Sequence, residues 1–270
     1  MRLDHIAIAV RDLDRAAEQY GRMGFDVRPG GKHTGLGSHN ALIRFGLDFL
    51  ELVAIHDREE AASSGAMGQV LLELLEGSES ALAGYCLATT ELDKVAAELG
   101  PIIPGSGEPF RMERKRPDGR LLEWHLFIPA NTGWLRPWPF FIERPMSDDE
   151  LLTIEQPGNH RLGVSGVSRL SVAARDMAKA GDIYRRLPGL TADNDGRRFT
   201  AGAFEIELTD AGGGNEGARQ IRLAVADVKS ATSGLEDPGV LGLSEAGDGL
   251  WQISPEMTWG VPIFLEETRR

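Results

Sequence analysis

Four times along the chain a short, strand-like apolar run leads into an amphipathic helix, and no other feature restricts the fold so tightly. The runs are HIAIAV (5–10), YCLAT (85–89), RLSVAA (169–174) and IRLAVA (221–226). Asp12 precedes Leu13, Ala16, Ala17 and Tyr20. Asp176 precedes Met177, Ala180, Gly181 and Tyr184, and Asp227 precedes Val228, Ala231, Thr232 and Leu235. Glu91 takes the same place before Leu92, Val95, Ala96 and Leu99. Spacing of i, i+3, i+4 and i+7 gathers each set on one helical face, and an acidic residue in front stands where it can cap free N–H groups.

Further strand-like pieces follow each helix. ALIRFG and DFLELVAI follow the first, RRFTAG and FEIELTD the third. The second and fourth share an Asp-Gly turn, at 118–119 and 248–249, then a strand ending at a proline, then Pro-x-Phe-x-Glu at 139–143 and 262–266. The unit is therefore one strand, one helix and three strands. Such a unit cannot bury its sheet face alone. The expected fold is α+β: four βαβββ modules paired into two cup-shaped, eight-stranded mixed sheets with the helices outside. The first cup spans 1–145, a polar linker 146–163, and a second, degenerate cup 164–270. One additional helix is expected around residues 67–76.

The 41 acidic against 29 basic residues give a net charge of −12, which repels nucleic acid and anionic membranes, so neither is an expected partner. A small-molecule substrate or ligand is, and a homodimer is compatible with the sequence. Cys86 is the single cysteine, so no intrachain disulfide forms, which fits a reducing cytoplasm. The start of the chain does not read as a signal peptide, and no apolar run reaches the length of a membrane-spanning helix.

With these modules in hand, the chain resembles the vicinal oxygen chelate superfamily, which holds glyoxalase I, extradiol dioxygenases and bleomycin-resistance proteins, all built from paired βαβββ units. LDHIAIAVRDLD (3–14), GGKHTGLGSHNALIRFG (30–46) and FLELVAI (49–55) carry the resemblance in the first half; in the second half the repeat carries it. In metal-bearing members, ligands come from the first and last strands of each unit and point into the cup. The resemblance thereby implies His5, Glu51 and Glu143 as ligands of a divalent metal (Zn, Ni, Mn or Fe), with Glu51 and Glu143 also moving protons. Strand alternation places His5 on a face with Leu3, Ala7 and Ala9, and turns Ile6, Ile8 and Val10 toward the helices.

The sequence departs from the family where the second unit should offer another histidine, which falls on Gly84 or Tyr85. His39 or His125 are candidates to reach in instead, and Glu123 is an alternative to Glu143. Substrate-contacting candidates are His39, Asn40, His125, Tyr85 and Trp138. The corresponding second-cup positions, Arg169, Glu207, Gln220 and Glu266, include no histidine, so no metal is expected there.

Two readings of different class follow. One is a metal-dependent lyase or isomerase of glyoxalase type, with extradiol ring cleavage as a variant. The other is a metal-free protein that binds a small molecule, as bleomycin-resistance proteins do.

Overall fold

A computed structural model of the chain describes residues 1–247 and 249–268. The first unit is β1 (Arg2–Val10), α1 (Leu13–Arg22), β2 (Arg28–His33), β3 (Ser38–Arg44) and β4 (Phe49–Ile55). Two helices, α2 (Arg58–Ser63) and α3 (Ala66–Glu76), lead to the second unit. That unit is β5 (Ser80–Ala88), α4 (Leu92–Leu99), β6 (Phe110–Lys115), β7 (Leu121–Phe127) and β8 (Phe140–Glu143). The linker carries α5 (Asp148–Ile154). The third unit is β9 (Val164–Ala174), α6 (Met177–Arg186), β10 (Thr191–Ala192), β11 (Arg198–Ala201) and β12 (Phe204–Asp210). The fourth is β13 (Gly217–Val225), α7 (Val228–Thr232), β14 (Ser244–Gly247), β15 (Leu250–Gln252) and β16 (Ile263–Glu267).

The first two units pair through antiparallel β1 and β5, and their outer strands β2 and β6 also meet. The sheet closes as a barrel in the order β1-β4-β3-β2-β6-β7-β8-β5. The other two units pair through β9 and β13 but stay open, in the order β10-β11-β12-β9-β13-β16-β15-β14. The outer strands differ as well: β2 and β6 have six residues each, while β10 has two and β14 four. The Asp-Gly turn at 118–119 is formed, with Gly119 at φ +84°. The matching turn was expected at Asp248, which lies outside the described residues.

The helix-side core follows the expected alternation. Ile6, Ile8 and Val10 are fully buried in one apolar cluster with Ala16 and Tyr20 of α1. Each such side chain contributes ~1.5–3 kcal/mol. The same cluster runs on into Leu170, Val172 and Tyr184, so both sheets share it. Asp12, Asp176 and Asp227 cap α1, α6 and α7 through their side chains, whereas Glu91 makes no side-chain cap bond to α4. Not every helix lies outside: α3 packs Leu71 and Leu75 onto the inner cluster with Ala7, Ala9 and Trp134. The linker helix α5 was not anticipated, although Ser147 and Glu150 form a complete capping box there.

One departure shapes the site. Leu3 sits with the helix-side core, not with His5, because the β1–β5 register shifts between Leu3 and His5. Asp4 is the extra residue of this bulge. A bulge re-aims side chains, and here Asp4 and His5, which an unbroken strand would turn to opposite faces, lie together.

Candidate functional site

One end of the barrel interior is filled by the inner apolar cluster. Elsewhere it opens into a cavity of about 890 Å³, its open mouth included. Leu42, Phe49, Met112, Trp124, Trp134 and Phe140 supply much of the wall. Set into this apolar wall are His5, His33, Asn40 and Glu51, and, farther along, Arg44, Arg114, Arg144 and Glu155.

Glu51 on β4 is buried, and its carboxylate is surrounded. Asn40 Nδ2 donates to Oε1 at 2.5 Å, His33 Nε2 lies 3.5 Å from the same oxygen, and His5 Nε2 lies 3.4 Å from Oε2. Burial alone would push the carboxyl pKa up. Attraction to the His5 and His33 imidazoles when they are protonated, the Asn40 hydrogen bond and the nearby Arg114 outweigh it and hold the group below its ordinary value. Glu51 is thus an ionised acceptor. His33, desolvated by burial with Arg114 adding repulsion, has its pKa lowered to about 4 despite the attraction of Glu51, so it is neutral near pH 7. Its Nδ1 lies 2.9 Å from Ser38 Oγ.

His5 is fixed from its other side. Its Nδ1 lies 2.7 Å from Asp4 Oδ1, and its ring stacks on Phe49 with centroids 5.0 Å apart. Asp4 has no exposed surface and is gripped by Arg144, whose Nη2 donates to Oδ1 at 3.0 Å while Nη1 pairs with Oδ2. Burial opposes the charged form of Asp4, but Arg144 and His5 override it and hold the carboxyl far below the usual range.

The expected residues separate into two groups. His5, Glu51 and Asn40 converge in the cavity. Glu143 does not line it: on β8, Phe140 and Ile142 face in, and Glu143 turns out, paired in register with exposed His125. The cause is a slip of one residue. Pro-x-Phe-x-Glu appears in both units, yet Phe141 packs helix-side in the first sheet, where Ile263 and Leu265 do so in the second. In a period-two strand that slip reverses the face. Glu123 sits at the rim, paired with Arg111.

His39 lies on the outer face, edge-on to His56. Tyr85 points helix-side, its hydroxyl on that of Tyr184. Trp138 packs against the same core, with Lys179 Nζ 5.8 Å from its ring centroid. Asp4, Arg114, Arg144 and Glu155 were missed by sequence reasoning as site residues. Of these, Asp4 stood inside a quoted motif, while the others reach the cavity through pairings invisible in one strand's pattern. In the second sheet Arg169, Glu207 and Glu266 are tied up with Glu205, Arg198, Arg222 and Ser168 in an ion-pair lattice.

Donor chemistry decides how a metal would fare. Asp4, His5 and Cys86 are the His/Cys/Asp/Glu group, among the described residues, whose ligand atoms all lie within 4.8 Å of one another, and all three are buried. Cys86 lies opposite His5 in register, two residues beyond Gly84, and Gly84 itself admits no side chain because a Cβ would stand 2.5 Å from Gly133 O. Burial pushes the Cys86 thiol well up, keeping it protonated, and the oxygens of Asp4 are committed to Arg144 and His5. The inward position on β8 is Ile142. A shell taking two ligands from each unit therefore does not fit: the first unit keeps His5 and Glu51, while the second offers a thiol and an alkyl group, with a guanidinium alongside.

A family model described as a glyoxalase-like domain matches residues 3–188. No protein of curated function matches the sequence. Among solved structures, a hypothetical protein from Staphylococcus aureus superposes with a TM-score of 0.70 at 16% identity, covering 99% of each chain. A xylose isomerase-like TIM barrel/4-hydroxyphenylpyruvate dioxygenase fusion protein gives a TM-score of 0.56 at 13% identity, over 98% of this chain and 48% of that one. At these identities the likeness is one of fold. Among the described residues, no helix is long and apolar enough to cross a membrane.

Proposed function

The chain belongs to the glyoxalase-like domain family, and on that premise we propose that its barrel binds a small organic molecule without a resident metal. The ligand's apolar body lies against Phe49, Trp124, Trp134 and Phe140. A hydroxyl or amine at its polar end donates to Glu51. The observation that carries this reading is Glu51 itself: a buried carboxylate, bonded by Asn40 and held ionised by neighbouring positive charge, set in a wall that is largely aromatic and aliphatic around it. Its lowered pKa suits accepting a hydrogen bond better than abstracting a proton, for which a value raised toward neutrality serves best.

A second reading, the metal-dependent lyase or isomerase, is favoured by the mutual approach of Asp4, His5 and Cys86 beside Glu51. It requires Arg144 to release Asp4. Elemental analysis of protein purified from metal-supplemented cells separates the two. We expect far less than one equivalent of Zn, Ni, Mn or Fe, and ligand-induced change in Trp124 and Trp134 fluorescence that persists after chelation. A full equivalent of metal that vanishes in His5→Ala would replace the first reading with the second.

A further inference from the structure

Glu155, at the end of the linker helix α5, drops its carboxylate into the cavity wall and is buried there. That single carboxylate serves three guanidiniums. Arg114 Nη2 donates to Oε1 at 3.0 Å, Arg116 pairs with the same oxygen, and Arg44 Nη1 lies 3.7 Å from Oε2. Arg44 Nε also donates to the Glu155 backbone carbonyl at 3.2 Å. Arg116 is partly exposed and can share its charge with water and with Asp118. Arg44 and Arg114 cannot, being 5% and 7% exposed.

The hydrogen-bond inventory of these two arginines is incomplete. Arg44 Nη2 and Arg114 Nη1 are buried and have no partner. A buried N–H without an acceptor costs its desolvation free energy, more so when it is charged. Burial pulls the pKa of Arg44 down to about 10, and Glu155 only partly restores it. Arg44 is also stacked over Phe49, its Cζ 4.4 Å from the ring centroid, which holds the guanidinium plane against the cavity wall. Both arginines line the same cavity as His5 and Glu51, and Arg114 lies close enough to Glu51 to lower its pKa.

We infer that the cavity selects ligands bearing a carboxylate, which accepts from Arg44 Nη2 and Arg114 Nη1 beside Glu155. This rests on the small-molecule reading above and adds the charge of the molecule to it. Guanidinium forks match carboxylate geometry, and such charge-assisted bonds strengthen in a low-dielectric site. The ligand is then an apolar organic acid. Its anionic head meets the two arginines, its body lies on the aromatic wall, and a donor on it reaches Glu51, which lies near Arg114. The linker takes part in recognition, because Glu155 sets the spacing of the two arginines.

The test is calorimetric titration of the full-length protein with 4-phenylbutanoate and with 4-phenylbutan-1-ol, which share a body and differ in charge. We expect the acid to bind on the order of tenfold or more tighter than the alcohol, and Arg44→Gln to bring the two to parity. Near-UV circular dichroism of the variant shows whether the fold is kept, and the acid–alcohol comparison in the unaltered protein requires no substitution. Equal binding of the two probes overturns the carboxylate inference and leaves the small-molecule reading standing. Binding of neither at millimolar concentration overturns both.

Discussion

Gly30 and Asn40 contend for one volume. A Cβ on residue 30 would stand 2.1 Å from Asn40 Oδ1 and 2.9 Å from its Cγ. The backbone at Gly30 is not left-handed, so what this position requires is space. That space lets Asn40 reach Glu51. Gly30→Ala is expected to force Asn40 off the carboxylate and to cost ~1–3 kcal/mol, the range for a buried acceptor losing its donor. Chemical denaturation measures it. Adding Asn40→Ser to Gly30→Ala should recover part of the loss, because the shorter side chain removes the contact with residue 40 and leaves only that with Arg114 Nη1, at 2.6 Å. Full additivity of the two changes would show that the residues are not coupled.

Acid should lower the stability of the protein in two limbs, with different groups responsible for each. The pKa of His33 is lowered to about 4, chiefly by burial, against ~6.5 in the unfolded chain. The unfolded state therefore binds the proton first. Stability is complete above about pH 6.5 and declines by ~3 kcal/mol as the pH falls to about 4. His39, lowered in the same direction by partial burial and His56, adds to this slope. The carboxylates Asp4 and Glu51, both held below their ordinary values, keep their contribution until the pH falls below about 4, where their unfolded counterparts protonate. Urea midpoints measured across this range should show both limbs, and His33→Gln should flatten most of the upper one. A variant with an unchanged upper limb would assign that limb elsewhere.

The fold was legible because the repeat is redundant: four copies of one pattern survive the loss of any single signal, such as the unused cap at Glu91. His5 and Glu51 were legible through the resemblance, which takes inward residues from the first and last strands of a unit. Glu143 was misplaced because a short motif fixes the identity of a strand but not its phase, and phase decides which side of a sheet a residue faces. Asp4 was illegible for the complementary reason, since a bulge breaks the alternation on which the reading depends. Arg144 and Glu155 enter from the end of β8 and from the linker, and only closure of the barrel brings them to the site. Ser147 and Glu150 are a different matter: their spacing announces a helix start, and the signal was there to be used.

Asp4 and Arg144 should be strongly coupled. Asp4 is wholly buried and Arg144 largely so, and removing either partner strands a charge away from water. Asp4→Asn keeps an acceptor for His5 Nδ1 but leaves Arg144 uncompensated, while Arg144→Met does the reverse. Each single change is expected to cost on the order of 3–5 kcal/mol, and the double variant distinctly less than the sum. A double-mutant cycle by urea unfolding gives the coupling directly. A value near zero would mean that solvent reaches this pair freely.

The barrel and the second sheet are joined through Tyr85 and Tyr184, and the direction of the hydrogen bonds makes the two unequal. The Tyr184 hydroxyl donates to the Pro137 carbonyl at 3.0 Å, so its hydroxyl meets that of Tyr85 as an acceptor. Tyr85→Phe removes a donor from an oxygen that keeps its own bond to Pro137, and should cost no more than ~1 kcal/mol. Tyr184→Phe leaves two buried groups, the Tyr85 hydroxyl and the Pro137 carbonyl, without their partner, and should cost ~1–3 kcal/mol. Both hydroxyls lie outside the cavity wall. The two variants should therefore differ in thermal midpoint while binding 4-phenylbutanoate alike. If Tyr85→Phe lost affinity with little loss of stability, Tyr85 would return as a ligand contact, through a rearrangement that opens the junction between the two sheets.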